Sequence, residues 1–248
     1  MYGGQTFTLT FCESGENHVG MQIIGEKSNT GFTCEELYGI YQNYPSFCEY
    51  YNLNNLPEQE PAGLLVIRGG LNFLGINPDD LFNEQKMLQV DKHALMKGRV
   101  VNKHARWNLC FSDFEQWPDY ANGKGTVVNF CHLPILSSLR AGLPSLFGPK
   151  SVNLFAEGNY YYDITSCYIG FHGDSERRRV IGARLGETIP LHFKWYINSE
   201  PQSVKLTIML NHGDIYCFSE KAVGTDWKKR KIWTLRHAAG FDSKNFTA

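Results

Sequence analysis

Two periodicities share this chain. Residues 5–11, Gln-Thr-Phe-Thr-Leu-Thr-Phe, alternate polar and apolar positions, which is the two-residue period of a strand. Residues 20–24 read as a second strand, expected to pair with the first across the Gly15 and Gly20 region. Thr33-Cys34-Glu35-Glu36 has capping-box spacing ahead of Leu37, Ile40 and Tyr41, predicting a short helix that stops before Pro45. Residues 52–61 form a polar loop with two prolines, and Leu64-Leu65-Val66-Ile67 reads as a buried strand ended by Gly69-Gly70. Pro78-Asp79-Asp80 opens a second helix, and residues 106–111 read as a strand. Pro134 opens a third helix, whose stripe of Ile135, Leu136, Leu139 and Leu143 is expected to end at Pro144. From Val152 onward the pattern is mostly short strands rich in β-branched and aromatic residues, the signature of a sandwich or barrel. A mixed N-terminal stretch, 1–105, expected to be an extension or substrate lid, therefore precedes a β-rich core, 106–248, and the fold class is α+β.

Composition narrows the class. At 42% hydrophobic and 20% charged, the 248 residues are those of an ordinary globular chain. Seven cysteines without a C-x-x-C pair argue against a disulfide framework and structural zinc. No apolar run approaches membrane-span length and no leader opens the chain, so a monomeric protein of nucleus or cytoplasm, with no membrane partner, is expected. The net charge of −1 conceals an uneven distribution. Residues 1–60 carry eight glutamates against Lys27 alone, whereas Lys86, Lys92, Lys97, Arg99, Lys103 and Arg106 face only Asp91. A second basic run is Lys228-Lys229-Arg230-Lys231. Such runs are either solvated faces or a track for nucleic acid.

The chemistry concentrates in Tyr168-Ile169-Gly170-Phe171-His172-Gly173-Asp174-Ser175-Glu176-Arg177. On a strand, residues i and i+2 share a face, so His172 and Asp174 can reach one point. Joined by a distant second histidine they make a 2-His-1-carboxylate triad, the ligand set of non-haem Fe(II) oxygenases.

From Arg106 to Gly240 the ordered motifs resemble the AlkB family of Fe(II)/2-oxoglutarate dioxygenases, the alkylation-repair type. The Leu133-Pro134-Ile135-Leu136 helix start is similar to the family's P-x-L helix, and Asn159-x-Tyr161 to its N-x-Y. Ile169 to Arg177 resembles I-G-x-H-x-D-x-E-R, Val180 to Gly186 stands where the family has I-x-S-x-S-x-G, and His212-Gly213-Asp214 resembles its H-G-D. The resemblance implies a double-stranded β-helix (jelly-roll) core with helices packed outside. It also implies Fe(II), 2-oxoglutarate and O₂ as cofactors and co-substrates, with Asn159 and Tyr161 against 2-oxoglutarate. Glu176 falls where the family's base-recognising carboxylate stands, and Arg177 beside it is a candidate for a phosphate.

The C-terminal end departs from the family. Arg230-Lys231-Ile232-Trp233-Thr234-Leu235-Arg236 reproduces its R-x₃-T-x-R spacing, yet no histidine lies between Asp214 and Arg230. Two alignments compete. In one, His237 is the third metal ligand; in the other, Arg230 and Arg236 are the oxoglutarate-binding arginines and the distal histidine is missing. Arg184 and Lys244 are further candidates for that cation. The expected activity is hydroxylation or demethylation of a modified base in nucleic acid. The alternatives are the same chemistry on a protein or small molecule, and an inactive binding module.

Overall fold

A computed structural model describes residues 2–241. It is mixed α+β, mostly sheet with few helices. The larger sheet has eight strands. In spatial order they are Cys48–Asn52, Gly63–Ile67, Ile215–Phe218, Val180–Gly186, Thr6–Cys12, Phe155–Tyr161, Trp107–Ser112 and Val127–Asn129. Every neighbouring pair is antiparallel except the last, which is parallel. In the smaller sheet Ile169–His172 pairs with Thr234–Ala239, which pairs with Ile189–Ile197. Glu200–Pro201 and Leu206–Leu210 both add to Ile189–Ile197.

The N-terminal strand lies in the middle of the larger sheet, with Thr8 opposite both Asn159 and Arg184. The stretch 1–105 thus supplies strands to the same sheet as the later residues. The alternation in Thr6-Phe7-Thr8-Leu9-Thr10-Phe11 explains how. Phe7, Leu9 and Phe11 join a core with Leu136, Leu139 and Leu143 of the outer helix Pro134–Phe147. Thr8 and Thr10 point the other way, into the space between the two sheets. The polar face of this strand meets a cavity, not solvent.

A second core joins the sheets face to face. Leu64, Val66 and Phe218 of the larger sheet meet Phe193, Trp195 and Leu235 of the smaller. Burying side chains of this size contributes about 1.5–3 kcal/mol each, before the entropy of ordering them is subtracted. The two sheets are thereby closed at one end and left open around the cavity at the other.

Several local expectations hold. Thr33 caps helix Cys34–Asn43 with both capping-box bonds present, and Asn77 caps Pro78–Lys86. Two do not. Ile23–Gly25 pairs with Ser14–Glu16 and not with the first strand, whose two edges are taken by Phe155–Tyr161 and Val180–Gly186. The third helix passes through Pro144 to Phe147. A proline so near the C-terminal end removes only one intrahelical bond, and burial of Leu146 and Phe147 offsets that loss. No helix among the described residues is long and apolar enough to cross a membrane.

Candidate metal centre

His172, Asp174 and His237 each offer a ligand atom, and these atoms lie within 4.8 Å of one another. His172 ends its strand and stands directly opposite His237. Asp174 lies beyond the strand, so it is brought in by a turn and not by the alternation expected of a continuous strand. Its backbone N–H donates to Val223 O at 3.0 Å. The turn depends on Gly173, where a Cβ would lie 2.2 Å from Gly224 O. Gly224 itself adopts φ +74°, the left-handed conformation glycine permits. Asp174 Oδ1 is 3.5 Å from His172 Nε2 and 3.8 Å from His237 Nε2.

The donor set suits a divalent metal. His172 Nδ1 lies 2.8 Å from Gly170 O, an arrangement in which Nδ1–H donates and Nε2 keeps its lone pair for a metal. Burial lowers the His172 pKa from its ordinary value, favouring the neutral ring that ligates. His237 is pushed further down, by burial first and by neighbouring His172 second. Phe193 and Phe218 flank the His237 ring, 6.3 and 5.1 Å away between centroids. Arg177 Nε stands 3.6 Å from Asp174 Oδ2, a cation behind the ligand carboxylate.

These residues sit on the wall of a cavity of about 530 Å³ between the sheets. Asn159 and Tyr161, expected beside the co-substrate, line it, and Asn159 Oδ1 accepts from Arg106 Nε at 2.7 Å. Arg184 lines it and is fully buried. Glu176 also lines it. Arg177 does too, but its guanidinium is committed elsewhere: 2.7 Å to Glu157 and 2.5 Å to Glu176. At 3% exposure it is an interior counter-ion and does not present a free cation to a phosphate. The buried carboxylate of Glu157 explains why, since it needs a cation that water cannot replace.

Arg230 and Arg236, expected as co-substrate arginines, are not on the cavity wall. Arg230 is exposed. Arg236 precedes inward-facing His237 on its strand, and its guanidinium lies over the Tyr196 ring at 4.0 Å. Lys244 falls outside the described residues.

Lys103 corrects the reading of the first basic run. Its ammonium is buried, donating to Asn17 Oδ1 at 2.8 Å and Asn108 Oδ1 at 2.6 Å, and burial pushes its pKa down to about 8. Asp91 binds the same Asn17 through Nδ2 at 2.8 Å, so this polar cluster holds the wall of the cavity and leaves Lys86, Lys92, Lys97 and Arg99 as the exposed cations of the run. Sequence reasoning also missed Thr8, Glu157 and Trp227 on the cavity wall. For Thr8 the alternation was a usable signal. The ion pair of Glu157 with Arg177, 20 residues apart in the chain, left no local trace.

No family model matches the chain. Over 247 residues it is 49% identical to an uncharacterized protein of Acanthamoeba polyphaga mimivirus, with 96% of each chain covered. The chain belongs to the same family as that mimivirus protein.

Proposed function

We propose that this protein is an Fe(II)- and 2-oxoglutarate-dependent dioxygenase of AlkB-like type, acting on a modified base in nucleic acid. The observation that carries the reading is the His172, Asp174 and His237 cluster facing a cavity large enough for a co-substrate and a base. The strand order supports a double-stranded β-helix. Leaving aside the two-residue strand Glu200–Pro201, seven strands follow from Phe155 onward; the second, seventh, fourth and fifth in chain order lie side by side in the smaller sheet. The first, third and sixth lie in the larger, with Thr6–Cys12 where an eighth would close the fold.

Fe(II) held by these three side chains supplies, together with 2-oxoglutarate and O₂, the oxidation of a C–H bond. The chain's own residues do the rest. Gly170 O fixes the tautomer of His172, and Arg177 orients Asp174. Phe193 and Phe218 keep water from the His237 side. At the mouth, Glu16 and Glu176 present carboxylates to N–H groups of a base, and Trp227 offers a ring for stacking. Lys228, on the same wall, offers a cation to the adjoining phosphate.

The test is succinate formation from 2-oxoglutarate with Fe(II), stimulated by single-stranded nucleic acid carrying methylated bases. Wild type should turn over and His237→Ala should not. A wild type that binds metal and methylated nucleic acid without forming succinate is a binding module instead.

A further inference from the structure

Arg177 stands between two parts of the cavity that come from opposite ends of the chain. On one side is the turn bearing Asp174, whose Oδ2 lies 3.6 Å from Arg177 Nε. On the other is the loop between Ser14–Glu16 and Ile23–Gly25, where Glu16, Asn17, His18 and Val19 line the mouth. Glu157 joins the two: its Oε1 accepts from Arg177 Nη2 at 2.7 Å and from the Glu16 backbone N–H at 2.5 Å. Glu16 Oε1 in turn accepts from the Gly20 N–H at 2.7 Å, closing the loop on itself. A path of ionic and hydrogen-bonded contacts thus runs from Asp174 through Arg177 and Glu157 to Glu16 and Gly20.

Charge along this path does not balance. Arg177 Nε and Nη2 also donate to Glu176 Oε1, at 2.8 and 2.5 Å. Asp174, Glu157 and Glu176 therefore draw on one guanidinium, and both Arg177 and Glu157 are buried. Water screens such a cluster poorly, so surplus negative charge loosens it. A divalent cation at His172, Asp174 and His237 removes the surplus. It takes over Asp174 and leaves the guanidinium to Glu157 and Glu176.

We propose that Arg177 and Glu157 are positioning residues that carry metal occupancy to the mouth, so that the base-facing carboxylates Glu16 and Glu176 are set only when metal is bound. This rests on the dioxygenase reading, which puts a divalent metal at the three ligands. Binding is then ordered, metal before base, and a base that takes the set mouth tightens the metal by the same factor.

Hydrogen exchange read by mass spectrometry on the full chain, with and without Mn(II), tests this without a substrate. In wild type, Mn(II) should slow exchange across residues 13–21 by roughly 5-fold or more, the lower end of ordinary site-to-site coupling. Helix Cys34–Asn43, which packs on Cys48–Asn52 and Gly63–Ile67, should exchange as before. Arg177→Lys keeps the charge, but one ammonium cannot serve all three carboxylates; it should still bind Mn(II) and lose the slowing. The double variant Arg177→Met with Glu157→Gln removes the path without stranding a buried charge, and should behave alike. The decisive quantity is the ratio of loaded to metal-free exchange, because a merely structural loss speeds both states equally. Wild type that binds Mn(II) with unchanged exchange at 13–21 overturns the proposal, as does slowing retained in both variants. Wild type that binds no Mn(II) defeats the dioxygenase reading itself, and this proposal with it.

Discussion

His172 and His237 face each other across paired strands, with ring centroids 4.4 Å apart and planes at 61°. Both rings are held neutral by burial, so the pair is set to share a metal and not a proton. Replacing His172, Asp174 or His237 by alanine should each reduce Mn(II) affinity by more than the roughly 10–100-fold typical of an outer-shell partner. Metal-free melting should hardly change; titration calorimetry reads the affinity and scanning calorimetry the melting, on the same samples. Retained affinity in His237→Ala would move the third ligand elsewhere.

Gly173 is a subtler test of the same site. The Cβ of Gly173→Ala would meet the Gly224 carbonyl at 2.2 Å, forcing the turn that carries Asp174 to move. We expect a stability loss of about 1–3 kcal/mol, as for other overpacked positions, and weaker Mn(II) binding with all three ligands intact. A variant that folds and binds metal as wild type does would show that the turn is not what sets Asp174.

The Arg177 ion pairs predict a large effect from a small change. Arg177→Met leaves Glu157 buried without its cation and should destabilise the fold by about 3–5 kcal/mol in chemical denaturation. Adding Glu157→Gln should recover much of that loss. If the double variant is as unstable as the single, the uncompensated charge is not the cause.

Glu16 carries a pH dependence. Burial pushes its carboxyl from 4.5 up to about 7, opposed by the backbone N–H of Gly20. A carboxyl whose pKa rises on folding binds its proton more tightly in the folded state. Stability is therefore full below about pH 4.5 and is lost as pH rises towards 7. Glu16→Gln should melt higher than wild type at pH 8, by roughly 2–4 °C for about 1 kcal/mol after discounting for solvent. The advantage should vanish at pH 4, and a difference independent of pH would assign it to packing.

How far the sequence could be read depends on how local each signal is. The capping box at Thr33 and the helix start at Pro78 are carried by neighbouring residues, and they were legible; the closeness of His172 and Asp174 was legible too, though as strand alternation and not as the turn that brings it about. His237 was legible only as one of two alignments, because its pairing with His172 is a contact between distant strands. The position of Arg184 on the wall follows from strand neighbours that local periodicity does not specify. Lys103 misled for a related reason. A lysine within a basic run reads as surface, and although Asn108 is only five residues on, the Asn17 oxygen that also draws it inward lies 86 residues away in the chain.

The central place of the first strand has a consequence for synthesis. Thr6–Cys12 leaves the ribosome before its partners Phe155–Tyr161 and Val180–Gly186, which follow more than a hundred residues later. Until then its apolar Phe7, Leu9 and Phe11 have no sheet to join. Pairings this distant in sequence are slow to form, and a waiting strand is exposed to the wrong neighbours. The larger sheet can therefore close only late, and that closure brings Thr8 and Arg184 together.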